Sequence, residues 1–179
     1  MALLEKQLYV KKSTIPNAGK GLFTKKFIPK GTLIVEYKGR RSAWKEVEDE
    51  DGKNGYIFYI NRNNVIDGQP YKSALARYAN DARGLVKIKG LTNNCDYIVD
   101  GNRAYIESKK DIPAGSEIFV DYGKDYWKVI RHNIKLWADE EKEAQKAKKK
   151  NGKVVKSATT KSKKVKTKHK TAKRVDTHK

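Results

Sequence analysis

Five short segments hold residue types suited to binding and orienting a ligand. They are Gly19-Lys20-Gly21-Leu22-Phe23, Val35-Glu36-Tyr37-Lys38-Gly39, Arg77-Tyr78-Ala79-Asn80-Asp81, Asn93-Asn94-Cys95 with Tyr97 two residues on, and Glu117-Ile118-Phe119-Val120-Asp121-Tyr122-Gly123. Glycines let a backbone approach a ligand closely and present its N–H and C=O groups. The Asn80 amide both donates and accepts. Tyrosine hydroxyls do the same, and aromatic faces attract cations. Nucleophilic and metal chemistry find less support. Cys95 is the only cysteine, and the histidines, His132, His169 and His178, are remote from it in sequence. Cys95 therefore reads as a buried structural thiol, and neither a disulfide framework nor a cysteine-rich zinc site is expected.

The elements that position these segments are short and β-rich up to Gly123. Leu8-Tyr9-Val10 leads to a turn at Pro16–Gly19, and Thr32–Tyr37 reads as a strand. Tyr56–Ile60 and Val65-Ile66 flank the turn Asn61–Asn64 as one hairpin, and Tyr97–Val99 and Ala104–Ile106 flank Asp100-Gly101-Asn102 as a second. Ser42–Asp51 has room for a short helix. Residues 25–34 and 109–118 share the pattern Lys-Lys-x-Ile-Pro-x-Gly-x-x-Ile, which reads as a turn feeding a strand, used twice. After Gly123, Trp127, Ile130, Ile134 and Trp137 recur at helical spacing. A helix is predicted from about Asp125 to Lys149, with its first turns packed on the core and Trp137 as an anchor. Beyond Asn151-Gly152 no core-forming period remains, and disorder is predicted. The expected organisation is a domain over 1–127, a C-terminal helix over 128–150 and a disordered lysine-rich tail over 151–179.

In this order, over roughly residues 7–127, these motifs resemble the SET domain, a family of S-adenosylmethionine-dependent protein lysine methyltransferases. The resemblance implies a mainly β fold, a β-clip with a pseudoknotted C-terminal segment. It implies S-adenosylmethionine as cofactor and transfer of its methyl group to a lysine amine. Gly19–Phe23 is similar to the family's first cofactor loop, which places Lys20, Gly21 and Leu22 beside the cofactor. Arg77–Asp81 resembles the Arg-Phe-Ile-Asn-His-Ser motif, with Asn80 in the cofactor-binding position, Tyr78 beside it, and Asp81 where the family has histidine. Asp81 can keep that histidine's roles through its backbone and carboxylate. Asn93-Asn94-Cys95 stands at the family's Pro-Asn-Cys turn, after an insertion at 83–92 longer than the usual spacing. Asp121-Tyr122-Gly123 resembles the motif whose tyrosine stands at the lysine channel, so Tyr122 is the catalytic candidate, with Tyr37 and Tyr97 as channel aromatics and Tyr56 near the cofactor. Two hydroxylated channel residues, Tyr37 and Tyr97, favour mono- or dimethylation. Many members close the site with a cysteine-rich zinc segment. Here Asp125-Tyr126-Trp127 takes that place, as in short viral and bacterial SET proteins, so Trp127 either covers the cofactor or anchors the helix. No metal is expected.

Charge marks a second element. Residues 142–179 hold 16 Lys and Arg against 2 Asp and Glu, a net of +14 of the chain's +20, which leaves +6 for residues 1–141. Such a tail binds nucleic acid non-specifically and salt-dependently. With the resemblance, this favours histones or histone-like basic proteins as substrates. The start of the sequence lacks the apolar run of a signal peptide, and no stretch approaches the roughly 20 apolar residues of a membrane span. An intracellular location is expected, in nucleoid or cytoplasm or in a nucleus, with no membrane partner and as a monomer or homodimer. A different reading makes the core a non-catalytic β-clip module and assigns the work to the nucleic-acid-binding tail.

Overall fold

The computed structural model describes residues 3–166, in which the apolar runs form nine short strands followed by one helix. The strands are β1 (Leu8–Lys12), β2 (Lys20–Thr24), β3 (Leu33–Glu36), β4 (Arg40–Ser42), β5 (Ile57–Asn61), β6 (Asn64–Asp67), β7 (Cys95–Asp100), β8 (Arg103–Ser108) and β9 (Glu117–Ile118), and the helix is α1 (Lys124–Lys166). They make three antiparallel sheets in the orders β1-β2-β9, β3-β8-β7 and β4-β6-β5. Both predicted hairpins form. Asn61 pairs with Asn64, and Asp100 with Arg103 across Gly101, whose φ of 55° suits glycine. The predicted helix at 42–51 is two 3-10 turns, Trp44–Glu46 and Glu48–Glu50.

The repeated Lys-Lys-x-Ile-Pro turn organises the centre. Ile28 and Ile112, equivalent in the two copies, exchange backbone hydrogen bonds of 2.9 Å each way. Gly31 and Gly115, at φ 77° and 79°, donate to Ser108 and Thr24 at 2.7 and 2.8 Å, again as equivalents. The strand leaving each turn pairs with the hairpin of the other copy: β9 joins β2, and β3 joins β8. This exchange buries Leu22, Ile28, Ile34, Ile106, Ile112, Ile118 and Val120 at 1% exposure or less. At about 25 cal/mol per Å² of apolar surface, such burial is the dominant stabilising term.

The chain parts into two compact units between Arg131 and His132. The first holds all nine strands and the opening of α1. Among the described residues the second is helix alone, and Ile134, Leu136 and Trp137 are 39–50% exposed. The predicted anchoring by Trp137 is thus not seen, since a lone helix offers its apolar side chains nothing within the unit to pack on. The predicted end near Lys149 is also passed. No proline follows, the Lys, Ala, Ser and Thr residues cost a helix well under about 1 kcal/mol each, and Gly152 costs about 1. Of the tail predicted to be disordered, residues 167–179 lie outside the described residues. No helix among the described residues is long and apolar enough to cross a membrane.

Candidate active site

Glu117, at the start of β9, is 4% exposed and satisfied on both oxygens. Its Oε1 accepts from Ser13 Oγ at 2.7 Å and Asn80 Nδ2 at 3.1 Å, and its Oε2 from Thr14 N at 2.7 Å and Thr14 Oγ1 at 2.6 Å. A buried carboxylate is tolerated when so bonded, and here it fixes the loop between β1 and β2. The carboxylate stands over Gly21, where a Cβ would lie 2.0 Å from Oε1. Gly21 is glycine for this close approach.

Asn80 lies at the seam between the Arg77–Asp81 segment and the C-terminal strand. Its Nδ2 donates to Lys20 O at 3.0 Å as well as to Glu117. Both partners are acceptors, so the amide orientation is fixed and Oδ1 remains to accept from a ligand. Asp81, 4% exposed, ties four segments together. Oδ1 accepts from Arg83 N at 2.7 Å and Asn93 Nδ2 at 2.9 Å, and Oδ2 from Tyr122 N at 3.0 Å and Trp127 Nε1 at 2.7 Å. Asn94 completes the knot. Its side chain bonds Glu117 O and Phe119 N, each at 2.8 Å, while Asn94 N and Cys95 N donate to Phe119 O. Residues 117–122 are thereby enclosed between the 80–82 and 93–95 loops, the expected pseudoknotted passage, with Val120 N donating to Asn80 O at 2.9 Å. Cys95 is fully buried, and desolvation pushes its thiol pKa up to about 12, so it is inert packing.

Two cavities of about 490 and 850 Å³ adjoin this knot. The smaller has a polar region of Lys20, Asn80 and Asp81 and an apolar wall of Ile15, Pro16, Leu85 and Val86, with Tyr78 and Trp127 also lining it. The larger is aromatic. Tyr37 and Tyr97 meet edge to face at 6.1 Å, and Phe58 lies 4.8 Å from Tyr97 and 5.5 Å from Tyr37. Tyr56, Arg77, Tyr122 and Tyr126 line both. Tyr122 stacks on Trp127 at 5.8 Å, meets Tyr126 edge-on at 5.0 Å, and donates its hydroxyl to Ala79 O at 2.7 Å. Tyr37 donates to Tyr56 O at 2.9 Å. Burial, aided by neighbouring phenols, holds the Tyr37, Tyr97 and Tyr122 pKa values well above the ordinary one, so all three stay neutral. The Arg77 guanidinium lies 4.0 Å over the Tyr56 ring, and its buried Nε has no hydrogen-bond partner among the described residues.

The structure thus gathers Lys20, Tyr56, Tyr78, Asn80, Asp81, Tyr122 and Trp127 around the smaller cavity, and Tyr37, Tyr97 and Tyr122 around the larger. It does not bring Gly21 or Leu22 to either. Gly21 is covered by Glu117 and Leu22 is core, because β2 is the central strand of its sheet and is buried on both faces after Lys20. The loop wall is supplied instead by Asn17, Ala18 and Gly19. The sequence reading gave no site role to Arg77, Leu85, Val86 or Glu117. Tyr126 came within the Asp125-Tyr126-Trp127 segment expected to close the site, whereas Glu117 acts across 104 residues and left no signal. Among the described residues no group of His, Cys, Asp or Glu is placed to hold a metal ion.

Comparison with known proteins agrees with this geometry. A family model described as the SET domain matches residues 19–123. Histone-lysine N-methyltransferase set-17 of Caenorhabditis elegans is 30% identical over 118 residues, covering 65% of this chain and 41% of that protein. Histone-lysine N-methyltransferase EZH2 of Chaetomium thermophilum is 29% identical over 171 residues, 86% of this chain and 11% of that protein. Among solved structures, a humanized mutant of the Chaetomium thermophilum Polycomb Repressive Complex 2 bound to the inhibitor GSK126 shares the fold, with a TM-score of 0.56 at 24% identity over 73% of this chain and 16% of that one. The chain spans less than half the length of each of these proteins. The matched span holds both hairpins, the Asn80-Asp81 seam and the strand ending at Tyr122, and the chain belongs to the SET domain family.

Proposed function

We propose that the protein is an S-adenosylmethionine-dependent protein lysine N-methyltransferase. The observation that carries this reading is the meeting of two cavities at Tyr122, one polar and apolar by turns, the other lined by aromatic rings. The smaller suits a nucleoside with an amino-acid arm. Asn80 Oδ1 accepts from an ammonium, and the aliphatic wall takes a purine. When bound, the cofactor supplies an activated methyl group on a positively charged sulfur. The protein's own residues do the rest. Tyr37, Phe58 and Tyr97 form a sleeve whose ring faces guide a cationic lysine stem to Tyr122. The Tyr122 hydroxyl, its proton committed to Ala79 O, turns its lone pairs to the reacting centre. Alignment of the two reactants provides much of the rate. Lys20, Tyr56, Tyr78, Asp81 and Trp127 line the cofactor side. Residues 1–127 form the catalytic domain, 128–150 a helical extension and 151–179 a basic tail.

The direct test is incubation of the chain with isotopically labelled cofactor and histone or histone-like protein, followed by mass spectrometry. Mono- or dimethyl-lysine is expected. A chain that neither binds S-adenosylhomocysteine nor labels any protein would exclude the enzyme. Asn80→Ala is expected to weaken cofactor binding by about 1.5–3 kcal/mol, the value of a hydrogen bond to a charged group. Calorimetry finding unchanged affinity would remove Asn80 from the site.

The tail extends the reading to location. The +14 charge of residues 142–179 tethers the enzyme to nucleic acid inside the cell, nucleoid or nucleus, close to the basic proteins it modifies. Truncation after Glu141 is expected to abolish most DNA binding while leaving cofactor affinity intact. DNA binding by the truncated chain equal to that of the full chain would refute the tether.

A further inference from the structure

The insertion at 83–92 carries apolar surface that the protein itself does not cover. Residues 85–90 are all exposed, yet Leu85 is 56%, Val86 38% and Ile88 36% exposed, three large aliphatics within four positions. Apolar groups clustered at the rim of a cavity mark a surface that a ligand covers. Leu85 and Val86 line the smaller cavity, facing a space shared with Ile15, Pro16 and Ala18.

Both ends of the insertion are tied to the fold, and its second half closes in a turn in which Leu91 N donates to Ile88 O at 3.1 Å. At one end Arg83 N and Gly84 N donate to Asp81. The Trp127 ring fills the space above Gly84, where a Cβ would lie 2.7 Å from it. At the other end Leu91 packs on Ile15, Ala82 and Phe119, and Thr92 Oγ1 accepts from Lys110 Nζ at 2.8 Å. Gly90, at φ 82°, provides the reversal. The anchor at Gly84 and the turn at Ile88–Leu91 thus present Leu85 and Val86 to whatever occupies the cavity.

We infer that residues 83–92 form a strap that packs Leu85 and Val86 on the purine of the bound cofactor. This rests on the methyltransferase reading above. The purine is the flat, least polar part of S-adenosylmethionine, and the strap is the least polar wall of the cavity. Trp127 and the strap then cover the cofactor from adjoining sides, without a metal-bound segment.

The test is calorimetric titration of the full chain with S-adenosylhomocysteine, with hydrogen exchange on the same samples. The Leu85→Ser/Val86→Ser double variant is expected to bind about tenfold or more weakly, the loss of roughly one half-covered aliphatic contact per residue. Its thermal midpoint without ligand should not change, since both side chains are exposed. In turnover the variant should raise KM for the cofactor and leave kcat alone, as loss of uniform binding does. Phe27→Ser, which removes an equally exposed apolar side chain lining neither cavity, should bind as wild type. In the wild type, amides 85–90 should gain protection on binding. A double variant with wild-type affinity, or a strap whose exchange ignores the ligand, overturns the strap while leaving the enzyme reading in place. A wild-type chain that binds no S-adenosylhomocysteine overturns both.

Discussion

Replacement of Asp81 by alanine is expected to cost on the order of 3–5 kcal/mol of stability and to abolish cofactor binding. The carboxylate accepts four hydrogen bonds at 2.7–3.0 Å, from Arg83 N, Asn93 Nδ2, Tyr122 N and Trp127 Nε1. Alanine takes the acceptor from all four donors, of which Asn93 Nδ2 is buried and the other three are partly buried, and a buried unpaired donor costs far more than a surface hydrogen bond gains. Asp81→Asn separates charge from shape. It keeps one acceptor oxygen but turns an N–H₂ toward two donors, so it should still lose roughly 2 kcal/mol. Asp81→His, which restores the residue usual in the resembling motif, should fare no better. An imidazole presents one acceptor nitrogen in its neutral form, against two oxygens each receiving two donors. Urea unfolding followed by Trp127 fluorescence gives the stability, and titration with S-adenosylhomocysteine gives the site. An alanine variant within about 1 kcal/mol of wild type would mean that water replaces the carboxylate, and that Asp81 does not hold the knot.

The same residue shows what the sequence could and could not reveal. The order of the Gly19–Phe23, Arg77–Asp81 and Glu117–Gly123 motifs carried the SET resemblance, and the β units were legible because their turns obey local rules. Gly31 and Gly115 need positive φ, and Pro29 and Pro113 fix the turn before them, so the repeat was legible as two β units. Their mutual pairing through Ile28 and Ile112, and the exchange of β3 and β9 between hairpins, involve partners 69 or more residues apart and have no local signature. Asn80, Tyr122 and the channel tyrosines were legible as a set from the motifs that hold them. The supporting acids were not. Glu117 reads as one more polar residue in a strand, and only the fold sets it against Ser13, Thr14 and Asn80. Gly21 was read as a ligand-facing glycine, but its missing Cβ makes room for that carboxylate. Leu85 and Val86 were passed over because an insertion interrupts the pattern by which neighbouring residues were placed. A local alphabet of motifs identifies the family, whereas the second layer of the site depends on contacts between distant segments.

Tyr122→Phe is the substitution expected to act most selectively on turnover. The hydroxyl donates to Ala79 O at 2.7 Å, so its removal leaves one carbonyl short of a partner and costs about 1 kcal/mol. The ring, stacked on Trp127 and edge-on to Tyr126, stays in place. Cofactor affinity should therefore remain within about threefold, a loss well under 1 kcal/mol. Turnover should fall about 100-fold, the effect of removing one preorganised polar group aimed at the reacting centre. The pH dependence separates this role from that of a base. Burial raises the Tyr122 pKa, and the neighbouring Tyr126, Tyr37 and Asp81 groups add to the shift. A phenol whose folded pKa is raised contributes stability that is complete below its unfolded value near 10 and is lost as pH rises through the folded value. Across the working range the hydroxyl is therefore protonated, and for the proposed methyltransferase a rise of turnover with pH is expected from the lysine amine losing its proton. Tyr122→Phe should lower the whole profile without moving that rise. A variant with wild-type turnover would show that the ring alone suffices. A rise that disappears with the hydroxyl would make Tyr122 the base, in conflict with its burial and with the hydrogen bond that its hydroxyl donates to Ala79 O.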